Sequence, residues 1–193
     1  DPETGNAMWM DKNGELTNKI SQARYINAGS PEPTVTGGFH TDVTWRGITL
    51  NVQLEGKFGN KILISENSYL HSDGQQMSMN QAASAMNYWK QPGDTNCSPK
   101  PVAWNSTSSN SSVSTRFLEN GSYVRIKDTL AYTLPKQWLS MIGVNNLKVY
   151  ASGMNVYTFH DVDYFDPERG VKGMGSGIYP MTKSFVFGLD VTF

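Results

Sequence analysis

Long apolar runs are missing from this chain of 193 residues. None approaches the ~18 consecutive apolar residues of a membrane helix, and the mean hydropathy is −0.46. That excludes a helical span but not spanning strands, whose alternation hides an apolar face from window averages. Cysteine is nearly absent: the lone Cys97 forbids an internal disulfide, and with no second Cys or His near it no zinc site is on offer. A net charge of −1, with no basic run, gives no electrostatic argument for nucleic acid. The three histidines (His40, His71, His160) are scattered, and neither Gly-x-Ser-x-Gly nor a phosphate loop occurs. No catalytic or cofactor-binding residue is assigned on these grounds, and the chain is not expected to be an enzyme.

What is present is alternation with period 2. In the stretch Ser184 to Phe193, Phe185, Phe187, Leu189, Val191 and Phe193 share one face, opposed by Ser184, Gly188, Asp190 and Thr192 with Val186 as an apolar exception. Phe39, Thr41, Val43 and Trp45 alternate with His40, Asp42, Thr44 and Arg46, and after Gly47 the even residues Ile48 to Phe58 oppose the odd Thr49 to Lys57. Two strands joined by almost nothing predict a hairpin. Tyr123 to Leu134 alternates again, with Asp128 discordant among Val124, Ile126, Leu130, Tyr132 and Leu134. A further strand runs from Leu147 to about Phe159.

The rest is loop. Residues 1–30 are polar and turn-rich, with room for one short ribbon. Residues 65–121 exceed any routine connection, which points to a functional or partner-facing loop. They hold an expected short helix, Met77 to Trp89, whose Met79, Ala82, Ala83, Met86 and Trp89 recur at helical spacing, and a Ser/Asn run, 105–114, read as a flexible polar tract. Residues 135–146 form a compact turn with a helical start, and 160–182 a second long, Gly-rich loop. In that loop Asp161, Asp163, Asp166 and Glu168 are the one acidic cluster: a solvated loop, oxygen ligands for Ca²⁺, or a carboxylate pair for glycoside hydrolysis. The loop aromatics Tyr88, Trp89, Trp104, Tyr164 and Phe165 can stack on sugar rings or touch a partner, or pack within the loops. Arg125 and Lys127 are expected to be solvated or paired charge rather than a specific binding site.

Four blocks carry a resemblance in order: Pro31 to Ile64 with Gly37-Gly38-Phe39, Phe117 to Lys127 running on to Leu134-Pro135, Leu147 to Phe159 with Ser152-Gly153-Met154-Asn155, and Tyr179-Pro180 to Phe193. Together they resemble the SusC/RagA family of TonB-dependent outer-membrane transporters. The fold so implied is all-β: a transmembrane antiparallel barrel of about 22 strands around a plug, of which residues 1–193 would be a C-terminal fragment lacking the plug and the N-terminal strands. Family members often carry one residue more near Asp128, so here either Asp128 lies near an interface or the register differs. The Asp166-Pro167-Glu168 sequence also matches the family's loop pattern.

Barrels of this type have short periplasmic turns and long extracellular loops. Counting back from Phe193, loops 160–182 and 65–121 come out extracellular, and turns 135–146 and Arg46-Gly47 periplasmic. The resemblance further implies import of a bulky nutrient, an oligosaccharide or peptide, across a bacterial outer membrane. A SusD-like surface lipoprotein would cap the outside, and TonB would act through the absent part. The apolar set Phe185, Phe187, Leu189, Val191 and Phe193 would then be the signal read during barrel assembly. A barrel-derived extracellular binding or adhesion module and a soluble β-rich carbohydrate enzyme are the alternatives.

Overall fold

A computed structural model describes residues 1–105, 107–168, 173–174 and 179–193, with only the backbone of Ile142. In chain order the strands are β1 (Trp9–Met10), β2 (Leu16–Thr17), β3 (Val35–Trp45), β4 (Ile48–Phe58), β5 (Lys61–Leu63), β6 (Leu118–Asn120), β7 (Tyr123–Thr133), β8 (Asn146–His160) and β9 (Ser184–Thr192). The chain divides into two compact units: one holds Asp1–Gly29 and Leu63–Glu119, the other all five long strands.

The long strands form one antiparallel sheet in the order β3-β4-β7-β8-β9. Because directly opposed residues share a face, the register carries the period-2 pattern from strand to strand. Phe39 lies opposite Leu54, Leu54 opposite Ile126, and Ile126 opposite Tyr157. Farther along, Leu130 meets Ala151 and Ala151 meets Phe187. The other face is polar: His40 opposes Gln53, Gln53 opposes Lys127, and Thr129 opposes Ser152. On that face Lys127 Nζ bonds Glu55 Oε2 at 2.9 Å and Thr129 Oγ1 lies 2.9 Å from Ser152 Oγ. An 11-residue strand such as β4, at ~3.3 Å per residue and tilted about 40°, crosses roughly 28 Å, enough for an apolar band about 25 Å tall.

All short connections lie at one end of the sheet. The β3–β4 turn is two residues, Arg46 and Gly47, both with positive φ, the signature of a primed hairpin turn. Gly47 is required there, since a Cβ would stand 2.7 Å from the Thr133 carbonyl, and the Thr133 N–H donates to the Gly47 carbonyl at 2.8 Å. The β7–β8 connection begins with the helical turn Lys136–Leu139, as its sequence predicts. Both long loops leave from the opposite end. Among the described residues the outer edges of β3 and β9 are unpaired.

The structure corrects two expectations and decides a third, the alternative of an irregular register at Asp128. The hairpin begins at Val35 rather than Phe39, because Gly37 and Gly38 mask the alternation while continuing the ladder opposite Gly56 and Glu55. The helix expected over Met77 to Trp89 is a single tight turn, Ala83–Met86. Met77, Met79 and Met86 are exposed, so the helical spacing has no surface to bury against, and a short helix without packing does not form. Asp128 sits at mid-strand on the apolar face, away from either rim, between Val52 and Gly153. The irregularity is in β8: pairing jumps from Ile126–Tyr157 to Asp128–Gly153, with the bulged Asn155 at φ +54°. Gly153 leaves the room, since a Cβ there would lie 3.1 Å from the Asp128 carboxylate.

The face assignment yields a test in the full-length protein. Leu54→Arg, at mid-strand on the apolar face, should cost about 2–4 kcal/mol and lower the amount assembled in the membrane. Gln53→Arg should leave it unchanged. Val52→Arg should cost less than Leu54→Arg because Asp128 lies directly across from it, and Asp128→Asn should remove that advantage. Equal defects at positions 53 and 54 would contradict the assignment.

Candidate functional site

At the long-loop end of the sheet the polar face is covered by the segment that follows β8. Arg125, with a side chain only 3% exposed, projects from β7 on the polar face and is held from three sides. Its Nε donates to Thr158 Oγ1 on β8 at 3.1 Å, Nη1 to Glu168 Oε2 at 2.8 Å, and Nη2 to both oxygens of Asp166 at 3.0 and 3.1 Å. Lys57 on β4 reaches the other Glu168 oxygen at 3.2 Å. The guanidinium and the ammonium lie 5.1 and 5.8 Å from the centroid of the buried Tyr123 ring, within cation–π range. Asp166 also accepts from the Glu168 N–H at 2.8 Å and the Met181 N–H at 3.3 Å, so both legs of the loop converge on one carboxylate.

This network places the acidic cluster. Asp166 and Glu168 are engaged by a buried guanidinium, and Asp161 accepts from Asn120 at 3.3 Å. Among the described residues no group of three or more His, Cys, Asp or Glu side chains is disposed to hold a metal ion. Arg125 is accordingly neither solvated nor left for a plug: it pairs with its own loop. The sequence offered no local sign of this, because the partners lie 41 and 43 residues downstream.

The unit built from 1–29 and 63–119 has a polar interior where a flexible tract was expected. Asn105, Ser109, Asn110, Asp73 and Ser72 are all buried. Asn105 Nδ2 lies near the Ser72 carbonyl, Ser109 Oγ and Asn110 Oδ1 at 2.9 to 3.1 Å. Asn110 Nδ2 donates to the Ser68 carbonyl at 3.1 Å, and Ser109 Oγ to Asp73 at 2.6 Å. Arg116 forks onto both oxygens of Asp73 and reaches Ser98 Oγ at 3.2 Å. Composition rich in Ser and Asn reads as solvated chain, yet these side chains supply the backbone partners that a loop without regular structure needs.

The aromatic candidates are divided between the two units. Tyr88, Trp89 and Trp104 belong to this unit, and Tyr164 and Phe165 to the sheet unit. Trp89 is a clamp: its Nε1 donates to the Pro2 carbonyl at 2.8 Å, and its ring lies on Gly5, where a Cβ would come within 2.5 Å of it. Trp104 is 77% exposed on a left-handed backbone at φ +62°, and Tyr164 is likewise exposed at φ +64°. Backbone strain of this kind persists only where the surroundings impose it. A cleft of about 480 Å³ lies in the same unit, lined by Met8, Trp9, Trp89, Cys97, Pro99 and Arg116. Trp9 and Arg116 are lining residues that the sequence did not single out. The set Phe185, Phe187, Leu189 and Val191 lies on the apolar face of β9, with Phe193 just beyond the strand.

No family model matches the chain. Over its whole length it is 28% identical to TonB-dependent receptor P3 and 28% identical to TonB-dependent receptor P26, both of Formosa agariphila, covering 19% and 20% of those proteins. The RagAB peptide transporter structure superposes on all of it with a TM-score of 0.81 at 25% identity, covering 22% of that chain. The likeness is to TonB-dependent receptors of the SusC/RagA kind. The chain spans about a fifth of the length of these relatives. A second RagAB peptide importer structure, in the open-open state, gives a TM-score of 0.80 at 24% identity. TonB-dependent receptors are outer-membrane β-barrels, and the five strands match part of such a barrel, one face apolar and the other polar. The relatives carry receptor and transporter names, not enzyme names.

The Asp73–Arg116 pair, a buried carboxylate held by a half-buried guanidinium, gives a testable consequence. Removing the guanidinium leaves the buried Asp73 charge without its counter-ion, which destabilises the unit. Arg116→Ala should therefore sharply accelerate limited proteolysis within 63–119 of the full-length receptor, while the barrel keeps its heat-modifiable migration.

Proposed function

We propose that this chain forms part of the barrel wall and two extracellular loops of a SusC-like TonB-dependent transporter that imports a bulky nutrient. The observation that carries the reading is the two-faced sheet, apolar outside and polar inside across all five strands, in a chain that superposes along its full length on a peptide transporter. A polar wall of Gln53, Lys127, Thr129 and Ser152 suits passage of a hydrated solute. A SusD-like surface lipoprotein covers the extracellular side, and TonB supplies energy through parts of the longer polypeptide. The cargo is a peptide or an oligosaccharide. Peptide is favoured by the RagAB neighbours, and exposed aromatics such as Trp104 and Tyr164 suit either class.

We assign no reaction to the chain. Asp166 and Glu168 are assigned to an ion-paired latch rather than to calcium, and the apolar face of β9 to membrane insertion and assembly.

The test uses cells producing the full-length receptor, offered fluorescent oligopeptides and oligosaccharides in parallel. One class should accumulate, its uptake should vanish when TonB is removed, and affinity purification of the receptor should bring down a lipoprotein. Uptake that is indifferent to TonB would contradict the proposal.

A further inference from the structure

The acidic segment 161–168 is tied to the wall by Lys57 and Arg125, which project from the polar face with Tyr123 and Thr158 packed beside them. In a barrel the polar face is the lumen side, so the segment does not rise away from the rim. It folds inward over the top of the channel wall. The contacts to Arg125 lie two residues in from the start of β7, about 7 Å down the strand at ~3.3 Å per residue. Val162 and Pro167 are buried, and Asp163 and Tyr164 are exposed.

We propose that Arg125 is a positioning residue that fixes segment 161–168 as a constriction on the lumen side of the extracellular mouth, and so sets the size of cargo that enters. This rests on the barrel reading above. The physical argument is the anchoring. A guanidinium that is almost wholly removed from water, donating to two carboxylates of the loop and to a hydroxyl on the neighbouring strand, holds the loop against the wall. Lys57 repeats the hold on Glu168 from a third strand. Asp166 receives the Met181 N–H, so the return leg is held by the same carboxylate, and the Asn155 amide donates to the Thr182 carbonyl at 3.1 Å. The latch is built into the wall, and the segment it holds narrows the opening without being part of the wall ladder.

The test is differential labelling of the full-length receptor on intact cells, with Cys97→Ser and a reporter cysteine at Asp163. A small membrane-impermeant maleimide should react, and a maleimide carrying a long polyethylene glycol chain should be excluded. Arg125→Gln should raise the ratio of large-reagent to small-reagent labelling by about tenfold or more, the scale on which loss of a charge-assisted hydrogen-bonded pair shifts an equilibrium. Asp166→Asn with Glu168→Gln should do the same while leaving Arg125 in the wall, which covers the case that Arg125→Gln does not assemble. Large-reagent labelling of the unaltered latch at the small-reagent rate, or a ratio unmoved by both variants, would overturn the constriction. Labelling by neither reagent until the outer membrane is permeabilised would overturn the orientation beneath it, and the proposal with it.

Discussion

Everything in this structure depends on the obligation of a membrane-spanning sheet to pair its backbone groups strand to strand while presenting hydrocarbon on one face and water on the other. The register meets both demands at once. Because side chains alternate strictly, a slip of one residue would move Leu54 and its neighbours into the lumen and Gln53 into lipid. The two-residue turn at Arg46-Gly47 fixes that register for β3 and β4, and the Thr133–Gly47 hydrogen bond carries it to β7. Among the described residues of the sheet, the ladder yields at the bulge in β8, beside Asp128, a charge at mid-strand on the apolar face.

The wall then acts as scaffold for what lies at its long-loop end. Arg125 and Lys57 reach from the polar face of two strands to carboxylates of the loop that leaves β8, and Thr158 on a third strand accepts from Arg125. The division of labour follows from solvent. Toward lipid a strand can offer only apolar side chains, whereas toward the lumen it can hold charges, and charges can hold a loop. The second unit solves a different problem. A long segment with little regular structure satisfies its backbone by burying Asn105, Ser109, Asn110 and the Asp73–Arg116 pair, each bonded to carbonyls or side chains that a helix or strand would otherwise have matched.

How much of this could be read in advance follows from the range of each interaction. The strands were legible because alternation is local: Ile48 to Phe58 declares its faces within eleven residues. Loop lengths made the arrangement of long and short ends legible as well. The Arg125 latch was not, since nothing near Arg125 signals carboxylates more than forty residues away. The Met77 to Trp89 segment misled because spacing alone cannot show whether a surface exists to bury its methionines, and 105–114 misled because polar composition does not distinguish a solvated tract from a hydrogen-bonded interior. The phase at Asp128 pointed to a local anomaly, but the extra residues lie in the facing strand, where a reading of β7 by itself could not place them.

The central claim, that this sheet is a membrane wall with its even-numbered β4 residues toward lipid, is tested most directly by spin labels placed one at a time from Ile48 to Phe58 in the full-length receptor reconstituted in bilayers. Accessibility to oxygen should peak at even positions and accessibility to a polar nickel reagent at odd positions, alternating along the strand. Labels with no two-residue periodicity, or with the two reagents reversed, would contradict the account.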